Sequence, residues 1–366
     1  MNRREEGHSL IELMIALAIV GFVLAAATTF FIVSVNQYKG QTKIVATNVE
    51  GILGLELLRQ DLEGLGFGLP WNNLLGYTER PTVAALSSLE DTPNAPRAVI
   101  SLDNASFTVN QSAYLVIKSI SVGMDNAAGR WTTLTQANVK RPWTPAEENL
   151  DAADWVIVLA AGSTDTNRRS LVTNAGSFST QFSNTAAFVP VEPYSANIIY
   201  GIKSSGASPD RPFNRAEYYI ANAASGSPIS PVTVPQRCAP NTGVLVKAVL
   251  TNDSGTGDAT TVYPLMDCVA DLHVVYGLDT DADGAVNSWT DDISTGLTAA
   301  DLRARLAEVH VHVLAQEGQR DDSYRHATNP IFVGSEGIGR NFDITGFLNY
   351  RWKAYSIVVK PRNLAQ

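Results

Sequence analysis

Three aspartates at alternate positions, Asp279, Asp281 and Asp283, are followed at once by Gly284. Carboxylates at that spacing, with glycine for the sharp turn, open an EF-hand-like loop that wraps Ca2+ in oxygen ligands. The twelfth position, which in such a loop supplies a bidentate carboxylate, is Thr290, with Asp291 and Asp292 beside it. Two readings stand: an irregular calcium loop, whose cation offsets repulsion among the aspartates, and an acidic turn open to solvent. His310 and His312 alternate with Val309, Val311 and Val313. On a strand both imidazoles face one side, so they either ligate a transition metal or make a polar sheet face. A further acid, Glu12, stands at the start of a long apolar run. A carboxylate there costs on the order of 2.5–3.5 kcal/mol if it enters hydrocarbon, so it calls for a partner. There is no GxSxG, no GxGxxG after a strand, no HExxH and no Walker loop, and the chain reads as non-enzymatic.

These residues depend on two kinds of element. Leu13 to Val35 runs without a charge and, at about 1.5 Å per helical residue, reaches roughly 35 Å, enough to cross a bilayer core. Val45, Val49, Ile52, Leu55, Leu58, Leu62 and Leu65 then recur at helical steps, one amphipathic stripe that predicts continuation of the helix. Gly51 and Gly54 weaken it, and Gly64, Gly66, Gly68 and Pro70 end it. Beyond Pro70 the texture is polar, uncharged and turn-rich, which suits a β-rich domain outside the cytoplasm. Strands are expected at Ala113–Lys118, Asp154–Ala160, Ala216–Ala221, Val244–Leu250, Asp271–Tyr276, Val309–Leu314 and Ala354–Lys360. One late helix, Ala299–Leu306, starts from a capping-box-like Thr298 and Asp301. Ser204–Pro212 and Ser225–Pro235 read as loops. The fold class is α+β: a long N-terminal helix over 8–66 and a β-rich domain over 67–366, in which a division into two lobes would fall near 225–235. A formal charge of −9 without a basic cluster argues against nucleic-acid binding.

Gly7, the apolar Leu10 and Ile11, and Glu12 five places after the glycine resemble the class III signal of type IV pilins and type II secretion pseudopilins. The helix exit LLRQDLEGLGFGLPW, the segments VADLHVVYGLDTDADG and ADLRARLAEVHVHVLAQ, and the closing KAYSIVVKPRNL resemble PilW-type minor pilins. The resemblance implies residues 1–7 as a leader and a cut between Gly7 and His8 by prepilin peptidase on the cytoplasmic side. It further implies methylation of the new amine and a transmembrane segment over 13–35. In that family the acid at the place of Glu12 meets the N-terminal amine of a neighbouring subunit. Such a pair removes the burial penalty of both charges and favours correct register. The chain departs from the family in carrying His8 where most members have Phe or Met, and Thr28 and Thr29 where major pilins carry a helix-bending proline.

The function implied is that of a minor pilin in type IV pilus assembly, in priming or at the filament tip. Its implied partners are other minor and major pilins, the peptidase and the inner-membrane assembly platform. The subunit is expected in the inner membrane, single-pass, with its bulk in the periplasm, and then in the filament. Two alternatives remain open: a minor pseudopilin of a type II secretion system, and a membrane-anchored periplasmic binding protein. A signal peptide cleaved after Ala25-Ala26-Ala27 is a rival reading of the same segment, although Glu5, Glu6 and Glu12 disturb its basic flank. In an oxidising compartment Cys238 and Cys268 would form a disulfide, with two free buried thiols as the alternative. Closing a loop of about 30 residues stabilises by roughly 3–4 kcal/mol.

Overall fold

The computed structural model describes residues 9–72, 77–80, 84–162, 168–254 and 259–364. The leader, Gly7 and His8 lie outside the described residues. Helix α1 runs unbroken over Leu10–Glu63. Its first turn is closed by a capping box, in which Ser9 Oγ accepts the Ile11 N–H at 3.4 Å and Glu12 accepts the Ser9 N–H at 3.1 Å. Gly64 caps the other end, and Gly66 and Gly68 turn the chain away through left-handed backbone conformations open to glycine.

Strands β1 (Val99–Leu102) and β2 (Tyr114–Ser119) open the main sheet. A second sheet follows, built from β3 (Trp131–Thr135), β4 (Trp155–Ala161), β5 (Arg168–Leu171), β6 (Ser179–Gln181) and β7 (Ala196–Lys203). The chain then returns to the main sheet through β8 (Asn214–Ala221), β9 (Gly243–Leu250), β10 (Thr260–Leu278) and β11 (Ser288–Thr290). The short helix α2 (Ala299–Arg305) leads into β12 (Leu306–Glu317), a hairpin of β13 (Ile331–Ser335) and β14 (Ile338–Phe342) follows, and β15 (Arg351–Val359) closes the main sheet. Its order is β1-β2-β8-β9-β10-β12-β15, with β11 also pairing β10; the second sheet runs β3-β7-β4-β5, with β6 on β4. All these pairings are antiparallel.

The second sheet is an insertion between β2 and β8, whose ends Ser119 and Asn214 pair directly. Residues 225–235, where the sequence suggested a break between lobes, lie instead in the connection between β8 and β9. Those strands are neighbours in one sheet, with Ala221 opposite Val244, so the sheet continues across that connection. The two sheets share a core. On β4, Ile157 and Leu159 turn toward Leu62, Leu65 and Phe67, while Val156 and Val158 turn to a smaller cluster with Leu134, Leu150 and Phe188. A strand apolar on both faces is what the uninterrupted run WVIVLAA encodes.

The C-terminal part of α1 lies on the main sheet through Leu55, Leu58 and Leu62, with Leu65 just past its end in the same core. Gly54 permits the approach: a Cβ there would stand 2.1 Å from the Leu265 carbonyl oxygen. The glycines that weaken the isolated helix are thus the ones that seat it on β10. Val45 and Val49 are exposed because the helix leaves the sheet on the N-terminal side of the Gly51–Met266 contact, and Ile52 is exposed because it lies off the helix face that Gly51 and Gly54 seat on β10.

The opposite face of β2 and β8 holds a chain of buried charges. Lys118 Nζ stands 2.7 Å from Glu79 and 2.6 Å from Asp91, and Asp91 also pairs Arg97. Glu79 meets Arg215 at 2.8 Å, Arg215 meets Glu217 at 3.0 Å, and Glu217 also pairs Arg80. Signs alternate along the chain, so each carboxylate is compensated on two sides, the condition for burying charge at tolerable cost.

Candidate functional site

Leu10–Ile32 is long and apolar enough to cross a membrane, with a mean hydropathy of 2.6, and none of it is buried against the rest of the chain. It begins three residues before the expected span. Among its polar groups, Thr28 Oγ1 donates to the Leu24 carbonyl at 2.8 Å and Thr29 Oγ1 to the Ala25 carbonyl at 2.9 Å. Both hydroxyls are thus satisfied within the helix, which makes them compatible with lipid. Glu12, at the N3 position, sits where the first helical N–H groups and the helix dipole favour an anion.

The acidic run lies between β10 and β11. Oxygens of Asp279, Asp281 and Asp283 come within 4.8 Å of one another. Asp279 already has backbone partners: its carboxylate accepts the Ala282 N–H at 2.7 Å and the Gly284 N–H at 2.8 Å. The Gly284 bond foremost, helped by that of Ala282, holds this carboxyl below its ordinary value. Thr290, at the twelfth position, belongs to β11 opposite Tyr276, and its Oγ1 accepts the Asp292 N–H at 3.1 Å. The protein thus places three carboxylates together without a bidentate ligand at the twelfth position.

His310 and His312 share a face of β12, and both are buried. Their ring nitrogens are engaged: His310 with Glu308 and Ser335 at 3.0 Å each, His312 with Ser356 at 2.9 Å and Ser335 at 3.0 Å. Burial first, then the neighbouring His310 and His273, push His312 down to about 4. The pair therefore forms a hydrogen-bonded polar layer beneath the β13–β14 hairpin.

Comparison with known proteins bears on the two ends of the chain. Residues 2–28 match the prokaryotic N-terminal methylation motif. Residues 217–363, which span β8 to β15, match the type IV pilus-assembly protein W family. Together the two matches support a PilW-type minor pilin. Its family is one of structural subunits of the type IV pilus, and its apolar helix is a membrane anchor. No curated protein matches the chain. Among solved structures, a type IV-like pilin from Thermus thermophilus is similar at 14% identity over 42% of this chain and 67% of that one, with a TM-score of 0.25.

In this minor pilin Cys238 and Cys268 are joined as a disulfide, with Cα atoms 4.9 Å apart. The bond fastens the long β8–β9 connection to a bulged part of β10. Sequence reasoning missed His273, on β10 directly across from His312, and with it Asp103 and Asp291, which flank its ring. The three residues are far apart in sequence. Strand alternation in LHVVY sets His273 on the face opposite Leu272 and Val274, so it gave no sign that His273 is buried.

Proposed function

We propose that this minor pilin takes part in priming the filament or in forming its tip, and acts by assembly rather than by catalysis. The observation that carries the reading is the apolar helix. Leu10–Ile32 offers an apolar surface that the chain itself leaves uncovered, and Val45, Val49 and Ile52 add exposed apolar side chains farther along the helix. Lipid covers the first part before assembly, and the helices of other minor and major pilins cover both parts afterwards. In this reading the N-terminus lies in the cytoplasm and the β-rich domain in the periplasm. Prepilin peptidase cuts between Gly7 and His8, and the assembly platform extracts the subunit. Glu12 then meets the free amine of a neighbour. A place at the tip follows from bulk, since a main sheet with a second inserted sheet would crowd a close-packed shaft.

The deciding experiment is the N-terminal sequence and mass of the mature protein, made with and without prepilin peptidase. A peptidase-dependent start at His8 is expected; a start after Ala27, or an uncut chain, removes the filament reading. Glu12→Ala is then expected to insert normally into the membrane and to be depleted from sheared pili, as measured by immunoblot of both fractions. Equal incorporation would refute the role given to Glu12.

A further inference from the structure

We infer that Asp103, His273 and Asp291 form a site for a divalent transition-metal cation of the zinc type. His273 is 2% exposed, and neither of its ring nitrogens makes a hydrogen bond. Nδ1 lies 3.2 Å from Asp103 Oδ1, and Nε2 lies 3.5 Å from Asp291 Oδ2. Ionised carboxylates only accept, and a neutral imidazole has one N–H and one bare lone pair. With the imidazole neutral, one ring nitrogen faces a carboxylate lone pair to lone pair, at a depth where an unmet polar atom is costly. A cation between the two turns that opposition into coordination. Two ligand atoms each about 2.1 Å from zinc and roughly 100° apart are separated by about 3.2 Å, the spacing found between Nδ1 and Asp103.

One ring nitrogen and one oxygen from each carboxylate lie within 4.8 Å of one another, so a small side-chain shift brings the third ligand inside the roughly 4.2 Å that can separate two donors on one zinc ion. One imidazole with two carboxylates suits zinc better than calcium or magnesium, which favour oxygen throughout. The aspartate side chains are 20% and 35% exposed, which leaves a path for the ion and room for a water ligand. His310 and His312 are not part of the set, because their ring nitrogens are bonded to Ser335, Ser356 and Glu308. Bound there, the metal would clip the end of β1, the middle of β10 and the end of β11 together.

The test is calorimetric titration of the full chain in detergent with Zn2+, with Co2+ as a spectroscopic probe and Ca2+ and Mg2+ for comparison. Expected are one Zn2+ per chain at micromolar affinity or tighter, a Co2+ absorption band in the visible, and a raised melting temperature. Asp103→Asn with Asp291→Asn should weaken Zn2+ binding at least a hundredfold. Asp291→Asn alone, at the more exposed position, should weaken it at least tenfold and serves if the double variant fails to fold. The triple variant D279N/D281N/D283N should bind Zn2+ as the wild type does. The inference is overturned by absence of saturable Zn2+ binding, which would leave a doubly protonated His273 as the occupant, or by binding that survives unchanged in either aspartate variant.

Discussion

At the scale of single residues, Lys118 shows how much of this fold depends on charges that no motif announces. Its ammonium is the shared cation of Glu79 and Asp91, both buried. Lys118→Met leaves two carboxylates short of a partner, and a broken buried pair costs roughly 3–5 kcal/mol. Urea denaturation should show a loss of that size, and a loss below about 1 kcal/mol would mean that water or rearrangement replaces the lysine. Two other groups contribute to the pH dependence in opposite directions. His312 falls from 6.5 to about 4 in the folded chain, so the unfolded chain binds the proton more tightly. Stability is lost as pH drops from about 6.5 toward 4, by up to roughly 3 kcal/mol, and His312→Gln should flatten that limb. Glu90 is raised from 4.5 to about 7, foremost by burial, so here the folded chain holds the proton more tightly. Its contribution is present at low pH and is lost as pH rises from about 4.5 to 7, an effect reduced by its partial exposure. Glu90→Gln should remove that loss in urea titrations across pH 4–8, and an unchanged profile would rule Glu90 out as its source.

At the scale of elements, the disulfide and Gly54 carry the same lesson from opposite sides. Cys238 and Cys268 close a loop with a sequence separation of 30, worth roughly 3–4 kcal/mol in the chain-entropy model. Cys238→Ser with Cys268→Ser should lower the urea midpoint accordingly and make the β8–β9 connection the first site of proteolysis. If cleavage begins elsewhere, the bond does not pin that connection. Gly54→Ala reverses the rule from helix propensity. Alanine favours an isolated helix by about 1 kcal/mol over glycine, yet its Cβ would meet the Leu265 carbonyl oxygen, so the variant should be destabilised. The elements themselves were largely legible. The strands expected at Ala216–Ala221 and Val244–Leu250 appear as Asn214–Ala221 and Gly243–Leu250, and the Thr298–Asp301 cap opens a real helix. Asp271–Tyr276 is only the later part of a strand reaching from Thr260 to Leu278, since its first half passes a bulge and loses alternation. β3 and β7 escaped because Thr132, Thr133 and Asn197 interrupt the apolar pattern, and the burial of Thr132 and Asn197 arises only through pairing. The charge chain and the Asp103–His273–Asp291 group were illegible for a related reason. Which distant residues share a face depends on strand register, and register belongs to the tertiary fold.

At the scale of the molecule, the inserted second sheet invites the view that a pilin domain carries a separate module at its far end. The core argues otherwise. Ser119 and Asn214 are already neighbours in the main sheet, so the insertion could be removed without breaking any strand of that sheet. Yet Ile157, Leu159, Tyr200 and Ile202 face the same interior as Leu58 and Leu62 of α1 and Leu65 just after it, and Phe67 meets Tyr200 edge-on with ring centres 5.3 Å apart. Excising 122–211 and joining the ends with a short glycine-serine turn would therefore expose the helix seat and remove Arg211, whose guanidinium donates to the Glu79 carbonyl at 3.1 Å. Both sheets should fold as one cooperative unit, since neither closes its hydrophobic core alone. The full chain should thus show a single urea transition, coincident when followed by tryptophan fluorescence, to which Trp131, Trp143 and Trp155 of the insertion contribute half of the six tryptophans, and by far-ultraviolet circular dichroism of the whole. The excised variant should fail to accumulate as a folded species. Two separated transitions, or a stable excised domain with its sheet signal intact, would show the insertion to be an appendage; a shared transition makes it part of the platform on which the assembly helix is seated.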